Sequence, residues 1–241
     1  MIVLVDDGSM DDGASRATEV ANENGISVEV VAMPPKRKGN LDTLGHAWNK
    51  AQPILHQLAK EVNYFAFADV DSKFPPDYFE KMIEFLEKSP HIGVVAGQMR
   101  GEPKRTFPMF SGKVVRSEVI DSIYKYWDIS IDSFINIKAL AMGYYVTSKD
   151  DILVESKPSH LLTKSGRFRS GRLAYYAGVN IPYILAKGII QRDAQYLRGY
   201  WSEWSKGTWR SDDPDIRNYY DNQFRRKLTR LLVRVFRTII H

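Results

Sequence analysis

Two aspartates, Asp69 and Asp71, follow a short apolar run and have the residue type and spacing to hold a cation. Residues 64–68 have the pattern of a strand covered on both faces. A spacing of two places both carboxylates on one side of extended backbone, and the carboxyl ends of parallel strands are where open α/β sheets bind ligands. Hard oxygen ligands suit Mg²⁺ or Mn²⁺, and such an ion bridges to a diphosphate. A solvated loop that happens to carry two acids is the alternative interpretation.

The sequence around these acids predicts alternating strands and helices. Apolar runs predict strands at residues 2–5, 26–31, 64–68, 92–98 and 144–147. Helical composition, with glycine and proline at the boundaries, predicts helices over 14–24, 41–61, 77–88 and 133–142, and a helical or mixed segment over 114–126. The alternation implies an α/β fold with a doubly wound, mostly parallel sheet flanked by helices.

Charge is distributed unevenly along the 241 residues. Residues 1–155 carry 17 Lys and Arg against 23 Asp and Glu, whereas residues 156–241 carry 17 against 6. We therefore expect two domains with these bounds, the first using a metal and the second facing an anionic partner. The apolar content of 44% is enough for a sizeable core, and the absence of cysteine excludes a disulfide framework and a thiolate zinc site.

The segment Val5-Asp6-Asp7-Gly8-Ser9, the basic loop at residues 36–40 and the segment Ala68-Asp69-Val70-Asp71 occur in this order. In that order and spacing they resemble the inverting family 2 glycosyltransferases of GT-A fold. The resemblance implies a GT-A (Rossmann-like) domain that binds a nucleotide-diphosphate sugar. An Asp-Gly-Ser turn before a helix is the alternative interpretation of the first segment, and it is compatible with the first.

The resemblance also implies a role for each acid. Asp6 and Asp7 would bind the base and ribose of the donor, with Asp7 on the base, because carboxylates accept hydrogen bonds from imide N–H groups and ribose hydroxyls. Asp71 would hold Mn²⁺ or Mg²⁺, assisted by Asp69 directly or through water. Lys38 is the nearest cation to serve the nucleotide or its phosphates, although a solvated Lys-Arg-Lys run is the alternative.

A catalytic base is implied by the same resemblance. Family members carry a Glu-Asp pair before an amphipathic helix that ends in Gly-Tyr, and counting back from Gly143-Tyr144 places Asp132 on the catalytic Asp. Asp132 would take the proton of the acceptor hydroxyl as it attacks. An ordinary acid in the first turn of a helix is one alternative, and Asp128 as the base is another. His160 is a further metal-side candidate.

The amino end departs from the family pattern. Family members begin with another strand and helix beside the Asp-Asp-Gly-Ser strand, and this sequence has no counterpart. Either the chain is longer than this sequence or another element takes that place. The departure leaves a catalytically impaired nucleotide-binding or scaffold module as an alternative function.

The segment at residues 164–172 is basic and contains glycine, and it resembles an Arg-rich lid over the donor phosphates. Arg167, Arg169 and Arg172 would then contact the diphosphate, since guanidinium groups match phosphate oxygens bidentately. A patch for lipid headgroups and a solvated loop are the alternatives. Residues 173–190 are apolar but contain Asn180, Pro182 and Lys187, so they make a poor spanning helix.

The end of the chain, from Phe224, has the pattern of a basic amphipathic helix. Such a helix lies either on an anionic membrane or on its own domain. Together with the aromatic residues at 196–204, and a resemblance to members that build cell-surface or lipid-linked glycans, it predicts a glycan or lipid-linked acceptor. It also predicts peripheral attachment to the cytoplasmic face of a membrane. A nucleic-acid-binding protein is a further alternative, but nucleic acid is not expected because no known nucleic-acid-binding signature accompanies the charge.

Overall fold

The computed structural model describes residues 1–35, 44–102, 107–126, 131–156, 163–208 and 210–222. The chain divides into two compact units, Met1–Ser156 and Lys157–His241. Within the described residues, no helix has both the length and the apolar content needed to cross a bilayer.

Strands and helices alternate over residues 2–99 of the first unit, as the sequence predicts. Its elements are β1 (Ile2–Asp6), α1 (Gly13–Glu23), β2 (Val28–Ala32), α2 (Leu44–Ala59), β3 (Tyr64–Phe67), α3 (Tyr78–Glu87), β4 (Ile92–Met99), β5 (Lys113–Arg116), α4 (Ser117–Asp121), α5 (Ile131–Ala141) and β6 (Tyr145–Val154). Pro53 lies inside α2, which continues through it. The segment predicted as helical or mixed at 114–126 therefore begins as a strand and continues as a short helix.

The described strands form two sheets. β1 and β2 pair in parallel, from Ile2 opposite Val28 to Asp6 opposite Ala32. The second sheet has the order β3-β5-β4-β6, in which β4 and β6 are parallel and β5 is antiparallel to β3 and β4. Three of its four strands thus share one direction. The mostly parallel α/β fold is confirmed, and β5 is the exception.

Helix α3 covers one face of the second sheet. Tyr78, Met82 and Leu86 recur every four residues along α3, are fully buried, and share a cluster with Val95 and Val114 of the sheet. Truncating one such side chain to alanine typically costs about 2–5 kcal/mol. This packing holds β4 and β5 in place beneath the loops at their ends.

The phenol of Tyr78 joins two strands of that sheet. Its hydroxyl donates to the carbonyl of Gly112, just before β5, at 2.8 Å and accepts from the N–H of Gly97 in β4 at 2.7 Å. Burial raises the pKa of Tyr78 to about 12, so the hydroxyl stays protonated at neutral pH and can serve both partners.

The second unit is helical in its described part, with α6 (Lys164–Tyr176), α7 (Ile181–Ile190), α8 (Ala194–Ser205) and α9 (residues 214–222). Two glycines allow α6 and α8 to approach closely. A Cβ added to Gly171 would lie 2.0 Å from the carbonyl oxygen of Tyr196, and one on Gly199 would lie 2.0 Å from that of Phe168. A side chain at either glycine would force the two helices apart.

Residues 164–172 lie in α6, so the interpretation of this segment as a solvated loop is wrong. Arg172 donates through Nε to Oε1 of Glu203 at 2.7 Å, and Glu203 is only 5% exposed. Arg167 lies 3.9 Å from Asp193, the N-cap of α8. Thr163 caps α6 by accepting from the N–H of Gly166 at 3.0 Å, a start signal that the basic composition obscured.

The aromatic residues of α8 do not all face outward. Tyr196 and Tyr200 are buried, whereas Trp204 is exposed. The hydroxyl of Tyr200 donates to the carbonyl of Val179 at 3.0 Å. Two of the four aromatic residues at 196–204 therefore lie in the core of this unit, and Trp201 is half-buried.

Candidate functional site

The two carboxylates that follow β3 lie on a tight turn. The N–H of Ser72 donates to the carbonyl of Asp69 at 3.1 Å, which closes the turn. Asp69 and Asp71 are both exposed, and Val70 between them is 95% exposed. The turn therefore presents its acids to the outside of the first unit.

Ser111, before β5, fixes that turn at both ends. Its hydroxyl accepts from the N–H of Asp69 at 3.0 Å and donates to Oγ of Ser72 at 2.7 Å. Ser111 itself is only 1% exposed, so its hydroxyl is shielded from bulk water. The acidic turn is thus attached to the buried end of β5.

The residue after the turn is attached to the end of β6. Lys73 and Glu155 form an antiparallel bridge, with N–H to carbonyl distances of 2.7 and 3.1 Å. The carboxylate of Glu155 also lies 3.1 Å from Nε of Arg100. The acidic turn is therefore attached both to the segment before β5 and to the end of β6.

The acids at the end of β1 also lie on a turn. Oδ1 of Asp6 accepts from the N–H of Ser9 at 2.9 Å, while Gly8 is buried with φ of +83°, a conformation that favours glycine. Asp7 is half-buried. The predicted turn is present, but it does not cap α1, which begins only at Gly13.

Three consecutive residues of α2 bring the candidate segments together. The ring of Trp48 lies 5.4 Å from that of Phe67 at the end of β3 and 5.7 Å from that of Tyr126. Nζ of Lys50 donates to the carbonyl of Ala32 at the end of β2 at 2.8 Å. Because Ala32 pairs with Asp6 of β1, the carboxyl ends of β1, β2 and β3 all lie beside this part of α2.

The segment that leads towards α5 is held by the same part of α2. The N–H of Tyr126 donates to Oδ1 of Asn49 at 2.6 Å, and Nδ2 of Asn49 donates to the carbonyl of Tyr126 at 3.3 Å. The side-chain amide of Asn49 thus forms hydrogen bonds with both the N–H and the carbonyl of Tyr126. Composition gave no signal for this role, because a Trp-Asn-Lys run within a helix is ordinary.

Some of the predicted site residues lie outside the described part of the chain. These are Lys38, Asp128 and His160, and the same holds for the side chain of Asp132. The backbone of Asp132 is the second residue of α5. The first-turn position predicted from the sequence is therefore present.

The acidic turn has the donor set of a site for a divalent cation shared with a ligand. Among the described residues, no group of three or more His, Cys, Asp or Glu is arranged to enclose a metal. Mg²⁺ sites commonly use one or two carboxylates together with substrate phosphates and water. Two exposed carboxylates on one turn, Asp69 and Asp71, have the chemistry that such a site uses.

Comparison with known proteins identifies the family. Residues 1–138 match the family model "Glycosyl transferase family 2", which is more than half of the chain. No curated protein sequence matches the chain. A mannosyltransferase from Pyrobaculum calidifontis, solved in complex with GDP-Man and Mn²⁺, is similar with a TM-score of 0.50 and 18% identity. The alignment covers 72% of this chain and 52% of that one, so the chain spans about half the length of the mannosyltransferase.

Glucosyl-3-phosphoglycerate synthase from Mycobacterium tuberculosis, in complex with phosphoglyceric acid, is similar with a TM-score of 0.47 and 15% identity over 71% of this chain and 67% of that one. At such low identity, solved structures bear on the fold alone, and the mannosyltransferase supports the GT-A fold. The family assignment depends on the sequence match over residues 1–138. The chain belongs to glycosyl transferase family 2.

Proposed function

We propose that this chain transfers a sugar from a nucleotide-diphosphate sugar to an acceptor hydroxyl, with inversion at the anomeric carbon. The observation that carries the proposal is the convergence on Trp48, Asn49 and Lys50 of α2. Through these three residues, one helix contacts the end of β2, the end of β3 and the segment that precedes α5, and β2 is paired with β1 as far as Asp6. A transferase needs donor-binding, phosphate-binding and base-bearing segments fixed relative to one another.

The donor would be held by the two acidic turns. Asp7 would accept from the base and Asp6 from the ribose, and Lys38 would serve the phosphates. Asp71 would hold a Mn²⁺ or Mg²⁺ ion, with Asp69 beside it. When bound, such an ion neutralises the charge that grows on a departing diphosphate. The solved mannosyltransferase holds a donor and a metal of these classes, GDP-Man and Mn²⁺.

The acceptor would be activated by Asp132. Its backbone lies in the first turn of α5, and a carboxylate can serve as the general base that takes the proton of an attacking hydroxyl. Direct displacement of the diphosphate by that hydroxyl requires no covalent intermediate, and it inverts the anomeric configuration.

The proposal is tested by incubating the whole chain with a panel of nucleoside diphosphate sugars, with Mn²⁺, with Mg²⁺ and with a chelator. We expect release of the nucleoside diphosphate for one donor class, dependent on the ion, and a product of inverted configuration by NMR. Binding of the nucleotide without release, in every ion, would favour the scaffold module. Release with retained configuration would contradict the inverting mechanism.

We further propose that the basic carboxyl part attaches the chain peripherally to an anionic membrane, where a lipid-linked acceptor would be presented. Support comes from the sequence: residues 156–241 carry 17 Lys and Arg against 6 Asp and Glu. Each basic residue near an anionic surface contributes roughly 1 kcal/mol. The amphipathic segment that begins at Phe224 lies outside the described residues, so this part of the proposal is argued from its pattern.

A further inference from the structure

The outward face of α7 is apolar along its whole length. Ile181, Leu185 and Ile189 recur every four residues and are 38%, 40% and 69% exposed. The buried residues of α7, which form its inner face, are Tyr183, Ile184 and Gly188. A Cβ on Gly188 would lie 2.4 Å from the side chain of Leu197, which shows that this inner face packs on α8.

Polar side chains do not interrupt the outward face. Lys187 is the one charged residue in the sequence of α7, and its Nζ lies 4.0 Å from the ring centroid of Tyr196 in α8, away from that face. A surface helix of a globular protein normally turns charged or polar residues outward. A helix that is apolar on both sides requires a second apolar environment.

The length of α7 limits what that environment can be. Ten residues rise about 15 Å, half of the hydrocarbon thickness of a bilayer. The helix is thus too short to span, and it has the dimensions of one that lies in the plane of the interface.

The charged residues close to α7 in the sequence are mostly basic, which favours an anionic partner for its apolar face. Residues 156–192 contain seven Lys and Arg and no Asp or Glu, and Arg192 is exposed immediately after α7. The first acid that follows, Asp193, accepts from the N–H of Tyr196 at 3.0 Å and lies near Arg167. A second copy of this surface would bring like charge to like charge. Anionic headgroups, in contrast, are attracted to a basic surface.

We propose that α7 lies in the headgroup layer of an anionic membrane, with Ile181, Leu185 and Ile189 directed at the acyl chains. The inference deepens the proposed peripheral attachment and rests on it. Helix α7 would supply the apolar part of the contact, and the surrounding Lys and Arg residues would supply the electrostatic part.

A single engineered cysteine tests the contact, because the sequence contains no cysteine. The variant Ile189→Cys carries an environment-sensitive fluorophore. Val20→Cys is the matched control, since Val20 is an exposed apolar residue of α1 in the first unit. With vesicles of equal parts phosphatidylglycerol and phosphatidylcholine at low salt, we expect a blue shift of the label at 189 and none at 20. Vesicles of phosphatidylcholine alone should give a much smaller shift.

A double variant provides the second measurement. Leu185→Gln with Ile189→Gln should lower partitioning onto the anionic vesicles by about tenfold or more, because two aliphatic side chains no longer leave water. Glutamine keeps α7 helical, and Val20→Gln should leave partitioning unchanged. Donor hydrolysis in solution by the double variant should match the wild type, which separates this inference from the proposed catalysis.

Each other outcome overturns the inference. If the wild type sediments with anionic vesicles but the label at 189 does not respond, another surface makes the contact and the attachment itself survives. If the wild type does not sediment, both the attachment and the role of α7 fail. If the label at 189 is already blue-shifted without vesicles, the face is covered by protein. Loss of that shift on dilution would identify a second copy.

Discussion

The N–H of Asp69 donates to the hydroxyl of Ser111 at 3.0 Å, and this bond connects the acidic turn to a residue that sequence patterns did not single out. The hydroxyl of Ser111 donates a hydrogen bond to Oγ of Ser72 at the other end of the turn. The position of the carboxylates therefore depends on a buried hydroxyl more than forty residues later in the chain. We infer that Ser111 is a positioning residue for the proposed site.

Ser111→Ala should weaken binding of a nucleoside diphosphate with Mn²⁺ by about five- to thirtyfold. The substitution removes two hydrogen bonds, each worth about 1 kcal/mol, and lets the turn move. Isothermal calorimetry measures the affinity, and Ser111→Thr should restore most of it. Ser122→Ala is the control, because Ser122 makes a comparable side-chain bond to Val119 in α4. Equal losses of thermal stability in both variants with no change in affinity would assign Ser111 a purely structural role.

Asp71→Ala should abolish the dependence of nucleoside diphosphate binding on the divalent ion. A directly bound carboxylate is expected to matter more than one acting through water, so Asp69→Asn should lose less affinity. Calorimetry in Mn²⁺ and in chelator compares the two variants with the wild type. Equal affinity of the wild type in both conditions would remove the metal assignment.

Asp132→Asn should leave donor affinity nearly unchanged and reduce transfer by about a hundredfold or more, the usual scale for a positioned base. The replacement keeps the shape of the side chain and removes its basicity, so circular dichroism should show an intact fold. Asp128→Asn is the comparison. If that variant loses transfer while Asp132→Asn retains it, the base lies one helical turn earlier.

Glu203→Gln should destabilise the second unit by about 2 kcal/mol, because the partly buried guanidinium of Arg172 loses its charged partner. Hydrogen exchange of peptides from α6 and α8 localises the effect. Glu84→Gln is the matched control: it breaks the exposed Lys88–Glu84 pair of α3 and should cost less than about 0.5 kcal/mol. Equal losses of stability in the two variants would mean that burial does not strengthen the ion pair between Arg172 and Glu203.

The carboxylate of Glu203 should also make the stability of the second unit depend on pH. Burial opposes its ionisation, but hydrogen bonds from Thr208 and Arg172 outweigh burial and hold the pKa of Glu203 below its ordinary value. A lowered pKa means that the folded form binds its proton less readily than the unfolded form. This contribution to stability is therefore full above about pH 5 and is lost as the pH falls through the folded pKa. In Glu203→Gln, the hydrogen-exchange protection of α6 and α8 should therefore fall less steeply with decreasing pH than in the wild type.

Local patterns predicted much of the first unit, because strand and helix signals there are short-range. Apolar runs gave β1, β2, β3, β4 and the start of β6, and composition gave α1, α2, α3 and α5. The reversed direction of β5 did not follow, since strand direction depends on partners distant in sequence. The α6 helix was missed because its arginines read as a solvated loop, whereas Glu203 and the Gly171–Gly199 approach stabilise it from α8.

Some residues of the candidate site could also be recognised from the sequence, whereas others could not. Residue type and spacing singled out the acids after β3, and the resemblance of the segment at residues 5–9 to a family motif singled out those at the end of β1. The anchoring by Trp48, Asn49 and Ser111 was not visible, because each acts on a segment far away along the chain. Such contacts are set by tertiary packing and leave no periodicity to read.

Replacing Arg226, Arg230 and Arg234 with Gln should lower partitioning onto anionic vesicles by about a hundredfold. Three basic residues at roughly 1 kcal/mol each account for about 3 kcal/mol, and the effect fades within a Debye length. Glutamine is nearly as good a helix former as arginine, so helix content should remain. Vesicle sedimentation at low and high salt measures the loss, and the wild type in high salt should approach the triple variant. A wild type that stays in the supernatant at low salt would show that the segment from Phe224 packs on protein and that its charge serves another partner.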